Sequence, residues 1–117
     1  MHASHEAILA KQLSMTEQIW KRFQELGVTK ETPVQLDFAF DAPNRKAAES
    51  LQGLLEEETD YAVRVESEGM FKKTWRVSGT TQSTSVSEEI LKQWVDWMVT
   101  TGLKHDCVFD GWGTEVP

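Results

Sequence analysis

A chain of 117 residues with 39% hydrophobic and 26% charged side chains, including five Trp and five Phe, has the composition of one globular domain with its own core and not of a disordered segment. Nineteen acidic against twelve basic side chains give a formal net charge of −7, which repels phosphate backbones and argues against direct nucleic-acid binding. A single cysteine allows no internal disulfide, the first residues lack a secretory pattern, and no stretch approaches the roughly 18 apolar residues of a membrane span, so a cytoplasmic protein without membrane contact is expected.

The charge is uneven. Residues 1–33 carry four basic and four acidic side chains, residues 34–66 carry three and eight, and residues 67–117 carry five and seven. The middle third is therefore the face expected to meet a basic partner.

In residues 4–26, Ile8, Leu9, Leu13, Ile19, Trp20, Phe23 and Leu26 recur at helical spacing, and Gly27 supplies a stop. An amphipathic helix of about six turns is predicted, packed on its own domain or, alternatively, on a second copy or a partner. Residues 34–40 alternate, with Val34, Leu36, Phe38 and Phe40 on one face, as one strand with one face in the core. Asp41 is the expected N-cap of the next helix, Pro43 suits its first turn, and Ala47, Ala48, Leu51, Leu54 and Leu55 form its apolar stripe. That helix ends in Glu56-Glu57-Glu58-Thr59-Asp60, where the macrodipole disfavours negative charge. Two readings stay open for this run: a solvated helix end, or a docking site for a Lys/Arg-rich segment.

Tyr61, Val63 and Val65 face inward on a second strand, and a turn over residues 67–69 leads to a third, where Phe71, Trp75 and Val77 share a face. Residues 78–85 read as a Ser/Thr-rich loop, with Ser85 or Ser87 as the cap of a second core helix carrying Ile90, Leu91, Trp94, Val95, Trp97 and Met98, closed at Gly102. Residues 104–116 are the final strand. Its alternation sets Cys107, Phe109, Gly111 and Gly113 against Val108, Asp110, Trp112 and Thr114, with a phase change if a glycine bulges.

A helix followed by β-α-β-β-α-β predicts an α+β, ferredoxin-like fold: a four-stranded antiparallel sheet in the order 4-1-3-2, both internal helices on one face, plus the N-terminal amphipathic helix. The expected organisation is one domain over 1–117, with the helix in 1–27 and the ferredoxin-like core in 34–116.

No catalytic, cofactor or metal site is expected. His105 and Cys107 fall on one side of the last strand but lack the further ligands a metal needs, and Cys107 is expected to be a small core hydrophobe. The acidic clusters suggest no pocket that would separate two carboxyl pKa values, and Gly-Trp-Gly opens no helix, so it is no phosphate cradle. Positions 35, 37 and 39 with 74, 76 and 78 on the open sheet face carry no aromatic platform of the kind that stacks RNA bases.

The terminal Phe109-Asp110-Gly111-Trp112-Gly113-Thr114, placed after a helix, resembles the aromatic-Asp-Gly-Trp-Gly-Thr of the RraB family, the regulators of ribonuclease E activity. The strand at 34–40, Ala47-Ala48 and Tyr61-Ala62-Val63 support the likeness over residues 34–116. The chain departs from the family in a nearly neutral segment before the first strand and in Asp60, where the family has glycine. The resemblance implies a non-catalytic, protein-binding regulator similar to inhibitors of ribonuclease E, which contacts the scaffold region of the ribonuclease and modulates RNA decay. Glu56, Glu57, Glu58, Asp60, Asp110 and Trp112 are the candidate partner-binding residues, in a monomer or weak homodimer without cofactor. The alternative is an acidic interaction or immunity-type module with an unrelated protein partner.

Overall fold

The computed structural model describes residues 4–69 and 74–114. Helix α1 (His5–Glu25) starts on Ser4, whose hydroxyl accepts the Ala7 N–H. Two short strands, β1 (Pro33–Val34) and β5 (Thr84–Ser85), pair with each other. The main antiparallel sheet holds β2 (Asp37–Ala42), β3 (Ala62–Glu68), β4 (Thr74–Thr80) and β6 (Val108–Gly113) in the order β3-β4-β2-β6. Helices α2 (Arg45–Glu58) and α3 (Glu88–Lys104) complete an α+β chain of three helices.

Alternation assigns the two sheet faces. Phe38 and Phe40 of β2 lie in register with Gly79 and Val77 of β4, and with Trp112 and Phe109 of β6. All point to the side on which Leu51 and Leu55 of α2 and Val95 and Met98 of α3 are buried. A second cluster, Phe23, Val28, Val34, Leu36, Val86 and Leu91, seals the space under α1 and the β1–β5 ladder. The Trp94 ring packs against both clusters, edge-on to Phe38, Phe109 and Trp112.

Helix α1 packs along α3 and lies against β6. Lys92 of α3 donates to the Glu17 carboxylate at 2.7 Å; that bond holds the Glu17 carboxyl below its ordinary pKa and Lys92 above its own. The most buried residues of α1 are Ile8, Gln12, Thr16 and Phe23, so two polar residues sit on the stripe that an apolar count had assigned to its neighbours. Leu26, counted in that stripe, is 56% exposed just past the helix end.

Several expected boundaries move, each for a local reason. The stretch 34–40 is two strands because Val34 pairs with Thr84, whereas the chain from Asp37 onward joins the main sheet. Asp41 continues β2, and the α2 cap is Asn44, whose side-chain carbonyl accepts the Ala47 N–H at 2.8 Å. Residues 78–85 are not one loop: β4 runs to Thr80, and Thr84–Ser85 form β5. Ser87 caps α3, accepting from Ile90 N–H.

Gly102 does not end α3, which continues to Lys104. Its lack of a side chain serves close packing, since a Cβ there would lie 2.7 Å from the Phe40 ring. The final strand begins at Val108, not at 104, because His105 caps α3 and Asp106 turns the chain with φ 60°. Ile90 and Trp97, expected in the core, are 51% and 38% exposed. Phe71 and residues 115–116, placed by the sequence in strands, lie outside the described residues.

Candidate functional site

Strand β6 is irregular where the sequence is most unusual. Ala39 pairs with Gly111 and Phe40 with Phe109, so Asp110 is the extra residue of a β-bulge, and Gly111 takes φ 134°, a conformation that side chains oppose. The bulge shifts the alternation by one, and Trp112 joins Phe109 on the helix-covered face. Its indole N–H donates to Thr16 Oγ1 at 3.0 Å, and its ring meets Phe23 edge-on. Thr16 in turn donates to the Gln12 carbonyl, while the Gln12 amide donates to the Phe109 carbonyl. Trp112 is thereby a half-buried anchor of α1.

Asp110 projects to the other face, which no helix covers. There Arg76 of β4 donates to Asp41 at 3.0 Å and to Asp110 at 2.9 Å, tying three strands together. A shallow groove of about 550 Å³ runs over this face beside Arg64, Glu66 and Ser78. Alternation aims Asp37, Ala39, Arg64, Glu66, Arg76 and Ser78 at it, none of them aromatic, while Phe38 and Trp112, which also line it, pack their rings in the helix-covered core. Arg76 was legible as an open-face residue, but its two carboxylate partners required the cross-strand register.

The acidic run lies elsewhere. Glu56, Glu57 and Glu58 are exposed on the last turn of α2, which has no basic residue to offset them. Thr59 caps that end and Asp60 is exposed beside it. Because β3 and β6 are opposite edges of the sheet, and α2 leads through this run into β3, the structure groups Glu56, Glu57, Glu58 and Asp60 but not Asp110 or Trp112 with them.

Next to Asp60, the Tyr61 hydroxyl accepts the Trp94 indole N–H at 2.9 Å. Burial pushes the Tyr61 pKa up, with a smaller push from the Asp60 charge, against the opposing donation from Trp94. Neither ring partner was visible in the sequence, where Trp94 counted only as core.

Cys107 is fully buried, with its thiol directed at the Ala47 and His105 carbonyls. Burial, and secondarily the Asp106 carboxylate, push its pKa up to about 11, which leaves it a thiol and a poor nucleophile at neutral pH. His105 instead shares a 2.7 Å hydrogen bond with Ser50. Among the described residues no three His, Cys, Asp or Glu side chains come together as a metal site, and no helix is long and apolar enough to cross a membrane.

These features define a class of small α+β proteins whose distinctive chemistry is carried by surface charge and by a bulged strand tied to a helix. The family model described as Regulator of ribonuclease activity B, RraB, matches residues 13–114, and the chain belongs to that family. Its family description is that of a regulator, not of a catalyst. Comparison with curated proteins gives no match.

Proposed function

We propose that this chain is a non-catalytic regulator that binds a protein, on the pattern of inhibitors of ribonuclease E, contacting the scaffold region of the ribonuclease and thereby modulating RNA decay in the cytoplasm. The observation that carries the reading is the family match across 13–114, which includes the whole sheet and all of α2 and α3. The strand order β3-β4-β2-β6 supports a ferredoxin-like core within a single domain.

In this reading Glu56, Glu57, Glu58 and Asp60 form the primary contact, against Lys and Arg of the partner. Asp110 and the accessible rim of Trp112 form a second contact at the far edge of the sheet. An exposed acidic surface meeting basic groups is screened within about 8 Å at physiological ionic strength, so binding is strongly salt-dependent. Titration against the ribonuclease scaffold region at 50 and 500 mM salt is expected to show at least a tenfold loss of affinity at the higher concentration (about 1.4 kcal/mol). Equal affinity at both would refute the acidic contact, and recovery of no ribonuclease on capture from lysate would refute the partner.

A further inference from the structure

Beside the acidic run lies an apolar cleft of about 330 Å³ that the charged residues alone do not explain. Its apolar wall is Leu36, Tyr61, Val86, Leu91 and Trp94, with the exposed Ile90, and Asp60 and the polar segment 81–84 complete it. Leu36, Val86 and Leu91 belong to the buried second core cluster, so the cleft opens directly onto packed core, yet Ile90 stays 51% exposed at its edge. Asp60 also lines it, and its carbonyl accepts from Gln82 at 3.5 Å. Trp94 spends its indole N–H on Tyr61, leaving an apolar ring in the wall.

The charge around this cleft is predominantly acidic. Asp60 lines it, the adjoining last turn of α2 carries Glu56, Glu57 and Glu58, and Glu89 is exposed on the first turn of α3, where Glu88 pairs with Lys92. The negative end of the α2 dipole adds to the same potential. By contrast, the larger groove on the open sheet face carries both signs, with Arg76 paired to Asp41 and Asp110 and Arg64 to Glu66. An apolar cleft with Asp60 in its wall and an acidic run beside it is complementary to one kind of occupant: a large apolar side chain carried between basic residues.

We infer that this cleft is the anchor subsite for a partner segment in which a bulky apolar side chain is flanked by Lys or Arg. The apolar chain enters between Ile90 and Tyr61 while the flanking cations meet Asp60 and the Glu56–Glu58 turn. This deepens the docking reading above and rests on it. The acidic residues steer and hold register, and burial of the anchor supplies most of the affinity and discriminates among basic segments.

The test uses the full chain and two capped peptides, Lys-Arg-Phe-Arg-Lys and Lys-Arg-Ala-Arg-Lys, followed by the backbone amides and the Trp94 indole N–H in nitrogen-15 NMR spectra. The Phe peptide is expected to bind about tenfold tighter than the Ala peptide, as burial of one large side chain implies, and to shift Trp94 and residues 82–86. Ser83 is exposed and lines the cleft, so Ser83→Phe fills it from a position outside the core. That variant, with the rest of its spectrum native, should bind both peptides equally, at the affinity of the Ala peptide for the native chain.

Equal binding of the two peptides to the native chain, with shifts confined to residues 56–60, would overturn the anchor subsite and leave acidic docking standing. Binding of neither peptide would overturn the docking reading and the subsite with it. Undiminished binding of a neutral Gln-Ser-Phe-Ser-Gln peptide would remove the basic flank from the proposal. Shifts of the same signals on concentrating the protein alone would assign the cleft to a second copy, and would overturn it too.

Discussion

Trp112 shows how one backbone irregularity decides what a side chain does. In a regular strand it would stand opposite Phe109 and face the uncovered side of the sheet; the extra residue at Asp110 turns it under α1. Gly111 permits this because φ 134° is open to glycine at little cost. Trp112→Ala removes the ring from its contacts with Phe23 and Trp94 and is expected to destabilise the fold by about 3 kcal/mol, near the low end for a buried aromatic because the residue is not fully buried. Trp112→Phe keeps most of the ring contact and loses the hydrogen bond to Thr16, a cost of about 1 kcal/mol. Urea denaturation of the three proteins checks the order. A Trp112→Ala chain as stable as the native one would mean that the indole is not the anchor described.

At the scale of the element, α2 breaks the usual charge rule at its C-terminus. Three exposed glutamates face the negative end of the dipole and one another, each at a cost of a few tenths of a kcal/mol. Replacing Glu56, Glu57 and Glu58 together by Gln should therefore raise stability by about 1 kcal/mol, or roughly 4 °C in Tm for a chain of this size, with the gain shrinking in 1 M salt. A lowered Tm would show that these side chains make stabilising contacts. A charge arrangement that costs stability is the kind of local inconsistency expected at functional surfaces.

Regular elements of this chain were legible because each presents a clean period. The alternation of Phe38 and Phe40 and the 3.6-residue spacing of Leu51 and Leu55 identify β2 and α2 without help from the rest. What could not be read depended on partners distant in sequence. The pairing of Val34 with Thr84 splits an apparently continuous strand, and the buried Gln12 and Thr16 look like surface residues until β6 is set beside them. Both lie at i+4 and i+8 from Ile8, so their common face was visible, but not its need for polar atoms. The acidic part of the candidate surface was evident from composition, whereas its apolar cleft joins segments from four separate parts of the chain.

Across the whole molecule, α1 solves a problem set by the strand order. β6 is an edge strand, and an uncovered edge offers unpaired backbone groups to other chains. α1 covers it: the Gln12 amide donates to the Phe109 carbonyl, and Thr16 receives Trp112, so these buried polar residues give the strand side-chain partners at that edge. Gln12 is 4% exposed, so Gln12→Glu would place a carboxylate against that carbonyl and replace a donor with an acceptor. The expected cost is about 2 kcal/mol, concentrated where α1 meets β6. Hydrogen exchange should then quicken roughly 30-fold at the α1 and β6 amides, with much less change in the β3–β4 pairing on the far side of the sheet. Removal of residues 1–26 goes further and should increase self-association by exposing the β6 edge, as read by light scattering on a sizing column against the full chain. Unchanged exchange in Gln12→Glu together with a monomeric truncated chain would show that β6 tolerates an open edge, and would leave α1 no covering role.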